Sequence, residues 1–485
     1  MTVRGELITG AVDRGQSHDL VVVVPGIMGS ELTDTATGAK LWGLRDLGWY
    51  VKAWSTGSGL AALRLDEDER AGRYGRVTPS GLLRFPAYAI GFQGFEPYER
   101  LVEAARRAVV ADAQIVRFAY DWRLPVAHNA GLLAETIATA LDQWRADPSH
   151  DELRRLHPDE RPAQVVIVAH SMGGLLARYL SRIPGATDDV RATITLGTPF
   201  YGSVKAAVLL NTGRGAPLPL PSRRPARHLF REDADEGVRA LVRSLPGVHD
   251  LLPSYRCVNE GAPGRRLTES DAVGLGGDPG LVAGAWRLHR ELAEVEPVAH
   301  RCMVGTSQPT AQSLTVVDGV VTTHEGLWTD GPGGAARWID AGGDGTVYRN
   351  SASLRVPPDY LPQQHGPLAR TDEAAAFVRG VITEQDPDRL GPPLAAAEIG
   401  VEVPDLALPG EEFGVRITGI DRPREAVVTF SDAGSGRVLE ILKVERRDGR
   451  WIAPVTAGRP GLYRVEVAGG GWSPVRQLTL VTEPS

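Results

Sequence analysis

Cysteine is scarce in this chain: only Cys257 and Cys302 occur in 485 residues. Two thiols make neither a disulfide framework nor a metal site, and both are expected to be reduced. Lysine is nearly as rare. Lys40, Lys52, Lys205 and Lys443 are the only ones, and arginine supplies the remaining positive charge, a compositional bias without functional content. The net charge of −7 argues against a dedicated nucleic-acid binder. No apolar run approaches the ~20 residues of a membrane span. Arg4, Glu6, Asp13 and Arg14 precede the first apolar run, Leu20 to Val24, so no signal peptide is visible and a cytoplasmic protein is expected. Internal repeats are missing, and no pattern asks for a cofactor or a metal.

What is present is organised around Gln164 to Leu180, QVVIVAHSMGGLLARYL. Val165 to Val168 reads as one buried strand, and Leu175, Leu176 and Leu180 share one side of a following helix. Between them, Ala169-His170-Ser171-Met172-Gly173 differs by one residue from the Gly-x-Ser-x-Gly elbow, a strained turn that exposes a nucleophilic serine at a strand end. Small flanking residues are needed there because a side chain would collide with the neighbouring strand and helix, and Ala169 adds only a methyl. A chance serine in a strand-to-helix loop is the competing reading; the strand before and the helix after favour the nucleophile.

The chain length exceeds one compact core, and two domains are expected. Leu20 to Val24 is a buried strand ending at the Gly-rich turn Pro25 to Ser30, where backbone N–H groups can face an anion. Residues 41–95, with Trp42, Trp49, Tyr50, Trp54 and Phe92, form an irregular aromatic stretch expected to be a buried subdomain or a substrate-covering lid. Helices are predicted over Tyr98 to Val110 and Asn129 to Trp144, with a strand at Ala113 to Ala119 between them. Asp121 and Arg123, just after it, read better as a loop-fixing ion pair than as site residues. A further strand covers Ala192 to Leu196. Strands alternating with helices indicate a mostly parallel sheet with helices on both faces, and ligands in such sheets sit at the carboxyl ends of the strands. The alternation fails over 204–299, read as a cap insertion with helices near Glu236 to Leu245 and Leu281 to Val295; Arg223, Arg224 and Arg227 there are a solvated face or a phosphate contact. Sheet resumes at Arg301 to Thr306. Leu314 to Thr322 is a hairpin turning at Asp318-Gly319, and Thr371 to Val381 is a last helix. The expected division is a domain over 1–390, a linker over 391–397 and a β-sandwich over 398–485. Seven short β-like runs in that tail suggest a small immunoglobulin-like fold.

A serine hydroxyl needs a base to take its proton, usually a histidine oriented by a carboxylate. In elbow hydrolases the order is Ser, acid, His. Of the eleven histidines only His365 follows the glycine-flanked turn at Asp344. Asp330 or Asp340 remain alternatives for the acid, and His300 or His324 for the base. His170 adjoins Ser171, but adjacent residues in a sharp turn do not face each other. The oxyanion donors would be the backbone N–H groups of Ile27 and Met172.

Pro25-Gly26-Ile27-Met28-Gly29-Ser30, Tyr120-Asp121-Trp122-Arg123, Ala169-His170-Ser171-Met172-Gly173-Gly174, Gly197-Thr198-Pro199, Leu251-Leu252-Pro253-Ser254 and Gly343-Asp344-Gly345-Thr346-Val347 occur in that order. Together they resemble the lecithin:cholesterol acyltransferase-like family of α/β-hydrolases, over about Val21 to Val381. The resemblance implies an α/β-hydrolase fold with lid insertions, a triad at Ser171, Asp344 and His365, an oxyanion hole at Ile27 and Met172, and an acyl-ester lipid substrate. Two departures are Ala169 in place of the usual glycine and the lack of cysteine in the N-terminal lid region. The expected function is lipid acyl-ester hydrolysis or acyl transfer through an acyl-Ser171 intermediate, at a membrane surface where the lipid is held in one. A small-ester hydrolase is a second reading. An adaptor using a hydrolase scaffold, its C-terminal sandwich docking a protein partner, is a third.

Overall fold

Leu20–Val24 (β1) and Val165–His170 (β3) are adjacent, fully buried strands inside a six-stranded parallel sheet in the computed structural model. Their partners are Ile115–Arg117 (β2), Val190–Leu196 (β4), His300–Thr306 (β5) and Asp359–Pro362 (β6), in the order β6–β5–β4–β3–β1–β2. The structure describes residues 16–43, 61–89, 93–95, 97–156, 160–213, 232–331, 333, 335–385, 398–469, 471 and 473–482. Every pairing in this sheet is parallel. Both faces are covered, which is why β1 and β3 read as unbroken apolar runs rather than alternating ones.

The strand period of two divides those runs between two cores. Leu20, Val22, Val24, Val165 and Ile167 point to one side, where helices Val126–Arg145 (α2) and Gly173–Tyr179 (α3) pack through Leu133, Ile137, Leu141 and Leu176. Val21, Val23, Val166, Val168 and Ile194 point to the other. There they meet Glu99–Arg106 (α1) through Leu101, Val102 and Ala105, and Asp372–Ile382 (α7) through Phe377 and Val378. Predicted and observed helices agree to within a few residues.

The cap contains helices Val204–Thr212 (α4), Glu232–Arg243 (α5) and Pro279–Leu292 (α6). The expected hairpin is present as Ser313–Val317 and Val320–His324, and it joins a separate sheet with Arg256–Val258, Val258 pairing with Leu314. Its turn has positive φ at Asp318 (51°) and Gly319 (76°), as the sequence required. Trp42 is fully buried: its indole N–H donates to the Met28 carbonyl at 2.7 Å and its ring meets Trp122 edge-on, so it buttresses the turn after β1. Trp49, Tyr50, Trp54, Phe92, Arg223, Arg224, Arg227 and the linker 391–397 lie outside the described residues.

The C-terminal region is all β. Gly400–Glu402 (β7), Leu406–Ala407 (β8), Glu412–Thr418 (β9), Val427–Asp432 (β10), Val438–Leu442 (β11), Glu445–Arg447 (β12), Arg450–Thr456 (β13), Gly461–Ala468 (β14) and Val475–Val481 (β15) form two sheets, β7–β9–β13–β12 and β8–β15–β14–β10–β11. Val415, Ile417 and Val455 of the first share a core with Val428, Phe430 and Val465 of the second, a face-to-face sandwich. The seven expected strands are present, joined by the short β8 and β12.

Candidate active site

Ser171 follows the last residue of β3 and precedes α3, with φ of +52°, a left-handed conformation uncommon for a residue with a side chain. The turn is tight enough to exclude side chains beside it. A Cβ on Gly26 would stand 2.7 Å from Ser171 Cβ, and one on Gly173 would stand 2.7 Å from the Val24 carbonyl oxygen. Ala169 is accommodated, fully buried in β3.

His365 lies on the loop after β6, and its Nε2 accepts from the Ser171 hydroxyl at 2.8 Å. Its Nδ1–H donates to Asp344 Oδ2 at 2.7 Å. The other carboxylate oxygen, Oδ1, accepts from the backbone N–H groups of Thr346 (3.0 Å) and Val347 (2.7 Å). The His365 N–H donates to the Asp344 carbonyl at 2.8 Å, so the two loops are also tied by backbone. Asp344 is 1% exposed. The structure therefore brings Ser171, His365 and Asp344 together. The alternatives are engaged elsewhere: Asp330 pairs with Arg256, Asp340 accepts from the Gly342 N–H, His300 bonds Thr195, and His324 bonds Thr315.

Ile27 and Met172 flank the serine from the turn after β1 and from the start of α3, and both are buried. Neither backbone amide is hydrogen-bonded among the described residues. Asp121 and Arg123 do form a loop-fixing ion pair: Arg123 Nη2 reaches Asp121 at 2.7 Å and Glu69 at 2.6 Å, all three buried.

Sequence reasoning missed the contacts of three residues here. Tyr98, at the start of α1, accepts from the Gly26 N–H at 2.9 Å and donates its hydroxyl proton to His170 Nδ1 at 2.8 Å. His170 takes the opposite tautomer to His365, since its Nε2–H donates to the His365 carbonyl at 3.0 Å. Burial pushes the His170 pKa down to about 3, so its ring stays neutral. Lys205, on α4, is the third. It lines the cavity beside Ser171, and burial lowers its ammonium pKa against the opposing pull of Asp405 and Asp344. The cavity holds about 700 Å3 of empty space, open solvent at its mouth included, between apolar walls that include Ile27, Leu209, Val248, Leu251 and Val347. Cys257 and Cys302 are free and buried, with pKa values pushed up to about 12, and neither lines this cavity.

A parallel sheet covered by helices on both faces, with a strained serine where its third strand turns into a helix, defines the α/β-hydrolase fold. Residues 94–234 match the family described as Lecithin:cholesterol acyltransferase. The resemblance read from the motifs is thus shown over that stretch. Among solved structures the chain is similar to one in "The crystal structure of Tle4-Tli4 complex". That match is 17% identical and covers 77% of this chain and 100% of that one, with a TM-score of 0.47. It is also similar to the Bacillus licheniformis lipase BlEst2 in its propeptide form, at 11% identity over 96% of this chain and 94% of that one, with a TM-score of 0.32. No curated protein matches the chain. Among the described residues, no helix is long and apolar enough to cross a membrane.

Proposed function

We propose that the chain is a serine-dependent lipid acyl-ester hydrolase or acyltransferase in which Ser171, His365 and Asp344 act as a catalytic triad. The observation that carries this reading is the unbroken hydrogen-bonded line from the Ser171 hydroxyl through the His365 imidazole to the Asp344 carboxylate. His365 Nε2 takes the hydroxyl proton as Ser171 Oγ attacks the ester carbonyl carbon. Asp344 holds the Nδ1–H tautomer and stabilises the imidazolium that forms. The negative charge on the former carbonyl oxygen falls to the N–H groups of Ile27 and Met172. Each such donor is worth roughly 3 kcal/mol of barrier. Collapse expels the alkoxide, which takes the proton from His365, and leaves acyl-Ser171. Water or a lipid hydroxyl, deprotonated by the same imidazole, then accepts the acyl group and frees the serine. The apolar walls beside Ser171 support a long acyl chain as the group transferred.

The test is incubation with phospholipid vesicles and with a neutral-lipid ester, products being read by mass spectrometry. Fatty acid or a transacylated lipid is expected from the wild type and not from Ser171→Ala. Equal release by both proteins would remove Ser171 from the chemistry. Activity on short soluble esters with none on vesicles would favour a small-ester hydrolase.

A further inference from the structure

The loops that carry Asp344 and His365 meet the C-terminal sandwich through buried glutamine side chains. Gln364 directly precedes His365. Its Nε2 donates to the Val401 carbonyl at 2.7 Å and to Gln308 Oε1 at 3.2 Å, with Gln477 Oε1 3.5 Å away. Gln308 spans the same seam. Its side chain donates to the Ile399 carbonyl and accepts from the Val401 N–H, both at 2.9 Å. Its backbone N–H donates to the carbonyl of Gly343, the residue before Asp344, at 3.0 Å. Gln363 donates to the Pro474 carbonyl at 3.0 Å and accepts from the Arg476 N–H at 3.1 Å. From the sandwich side, Gln477 on β15 accepts from the Val403 N–H at 3.2 Å and donates to its carbonyl at 2.9 Å.

Apolar packing alone would hold two surfaces together without fixing how they sit. Buried amides paired to backbone are directional, and each one left unpaired costs its full desolvation. Such a seam locks the position of whatever it joins. On its inner side it joins the loop after β6, which ends as a strand at Pro362 and has no regular structure until the short turn Pro367–Arg370. The His365 backbone has only the Asp344 carbonyl and the His170 ring as partners from the rest of the site. Gln363 and Gln364, its two predecessors, are both anchored in the sandwich.

We infer that the C-terminal sandwich is a working part of the active site, and that Gln364 and Gln477 are positioning residues which set the His365 imidazole between Ser171 and Asp344. This rests on the triad reading above. A displacement of the imidazole by a fraction of an ångström would leave the cavity walls, and hence substrate binding, in place. Proton transfer would slow.

The experiment compares Gln364→Met and Gln477→Met with wild type and Ser171→Ala, all as the full chain, on a p-nitrophenyl ester of a medium-chain fatty acid. Methionine keeps the shape and removes the hydrogen bonds. A loss in kcat of about 10- to 100-fold with KM held within about twofold is expected for Gln364→Met, together with an equal slowing of Ser171 labelling by a fluorophosphonate. Wild-type kcat in a folded Gln364→Met protein, or a change in KM alone, overturns the proposal. If Gln364→Met does not fold, the same constants from Gln477→Met decide it. A wild type no faster than Ser171→Ala sinks the triad reading instead; a wild type faster than Ser171→Ala but matched by both methionine variants sinks only the positioning role.

Discussion

The ring of His170 grips the backbone of His365: its Nε2–H donates to that residue's carbonyl oxygen at 3.0 Å. The residue beside Ser171 thus holds the loop of the proposed base, although the two are far apart in sequence. Its other nitrogen accepts from Tyr98, whose oxygen accepts in turn from the Gly26 N–H. One phenol therefore links the turn bearing Ile27, the turn at Ser171 and the His365 loop. Tyr98→Phe keeps the ring and deletes both bonds. We expect kcat to fall by about tenfold or more, because the oxyanion turn and the His365 loop loosen together, while the removed hydrogen bonds cost only about 1–3 kcal/mol of stability. Steady-state kinetics beside a urea titration check this; an unchanged kcat would show that the turn after β1 is held by other bonds.

Several buried histidines give stability an acid limit. His170 is depressed to about 3, and His289 and His300 to about 4, all mainly by burial. The unfolded chain binds these protons near 6.5 and the folded chain does not. Their stabilising contribution is complete above pH 6.5 and drains away as the pH falls towards 4. Asp250 has the opposite sign. It is buried and raised from 3.8 to about 7, so it keeps its proton in the folded state where the unfolded chain has lost it. What it contributes at low pH is lost as the pH rises towards 7. Asp250→Asn, which keeps an acceptor for the Val126 N–H, should therefore gain on the wild type steadily from pH 4 to pH 7. Urea midpoints at several pH values test both trends. A constant difference between the two proteins would mean that Asp250 is ionised in the folded state.

Arg123 is fully buried between Asp121 and Glu69, and Glu69 also pairs with Arg76 at 2.8 Å. Removing the guanidinium leaves two buried carboxylates without their shared partner. Arg123→Met should cost about 3–5 kcal/mol. Glu69→Gln added to it should restore part of the loss, since one of the stranded charges is then gone. Thermal unfolding of the two variants is the measurement, and a double variant no better than the single would mean that Glu69 is sufficiently held by Arg76.

The legible part of this protein was the part fixed by local geometry. A strained turn admits only small neighbours, so the elbow at Ser171 could be read from a few letters, and chain order then narrowed the proposed base to His365. Strands buried on both faces give unbroken apolar runs, which made β1 and β3 visible. Alternation did the same for the tail, except in β8 and β12, which at two and three residues are too short to show a period. The start of α2 was missed because Val126 follows Pro125, and the helix begins ahead of the first clearly periodic position. Tyr98, Lys205 and the glutamines of the sandwich seam were invisible for another reason. Tyr98 lies 72 residues from both Gly26 and His170, and Gln364 lies 113 residues from Gln477, so their roles arise from convergence and leave no local spacing to detect. Trp42 is core, one of the two readings left open for its stretch, because an aromatic without periodic neighbours gives no sign of what covers it.

Asp344 offers the sharpest test of how the proposed base is held. Its Oδ2 receives the His365 Nδ1–H, which leaves Nε2 as the acceptor facing Ser171, while Oδ1 is held by the Thr346 and Val347 amides. In Asp344→Asn the amide oxygen is expected to stay with those two N–H groups. The NH2 group then faces His365 and donates to Nδ1. That bond selects the tautomer with its proton on Nε2, which points a donor at the serine hydroxyl and leaves no base. The volume hardly changes and the loop keeps its two backbone bonds, so the fold should be retained. We expect kcat on an ester substrate to drop by about 10^4-fold near neutral pH, with KM and the thermal midpoint altered far less. A drop of tenfold or less would assign the orientation of His365 chiefly to its backbone partners, and the carboxylate would then be a minor part of the site.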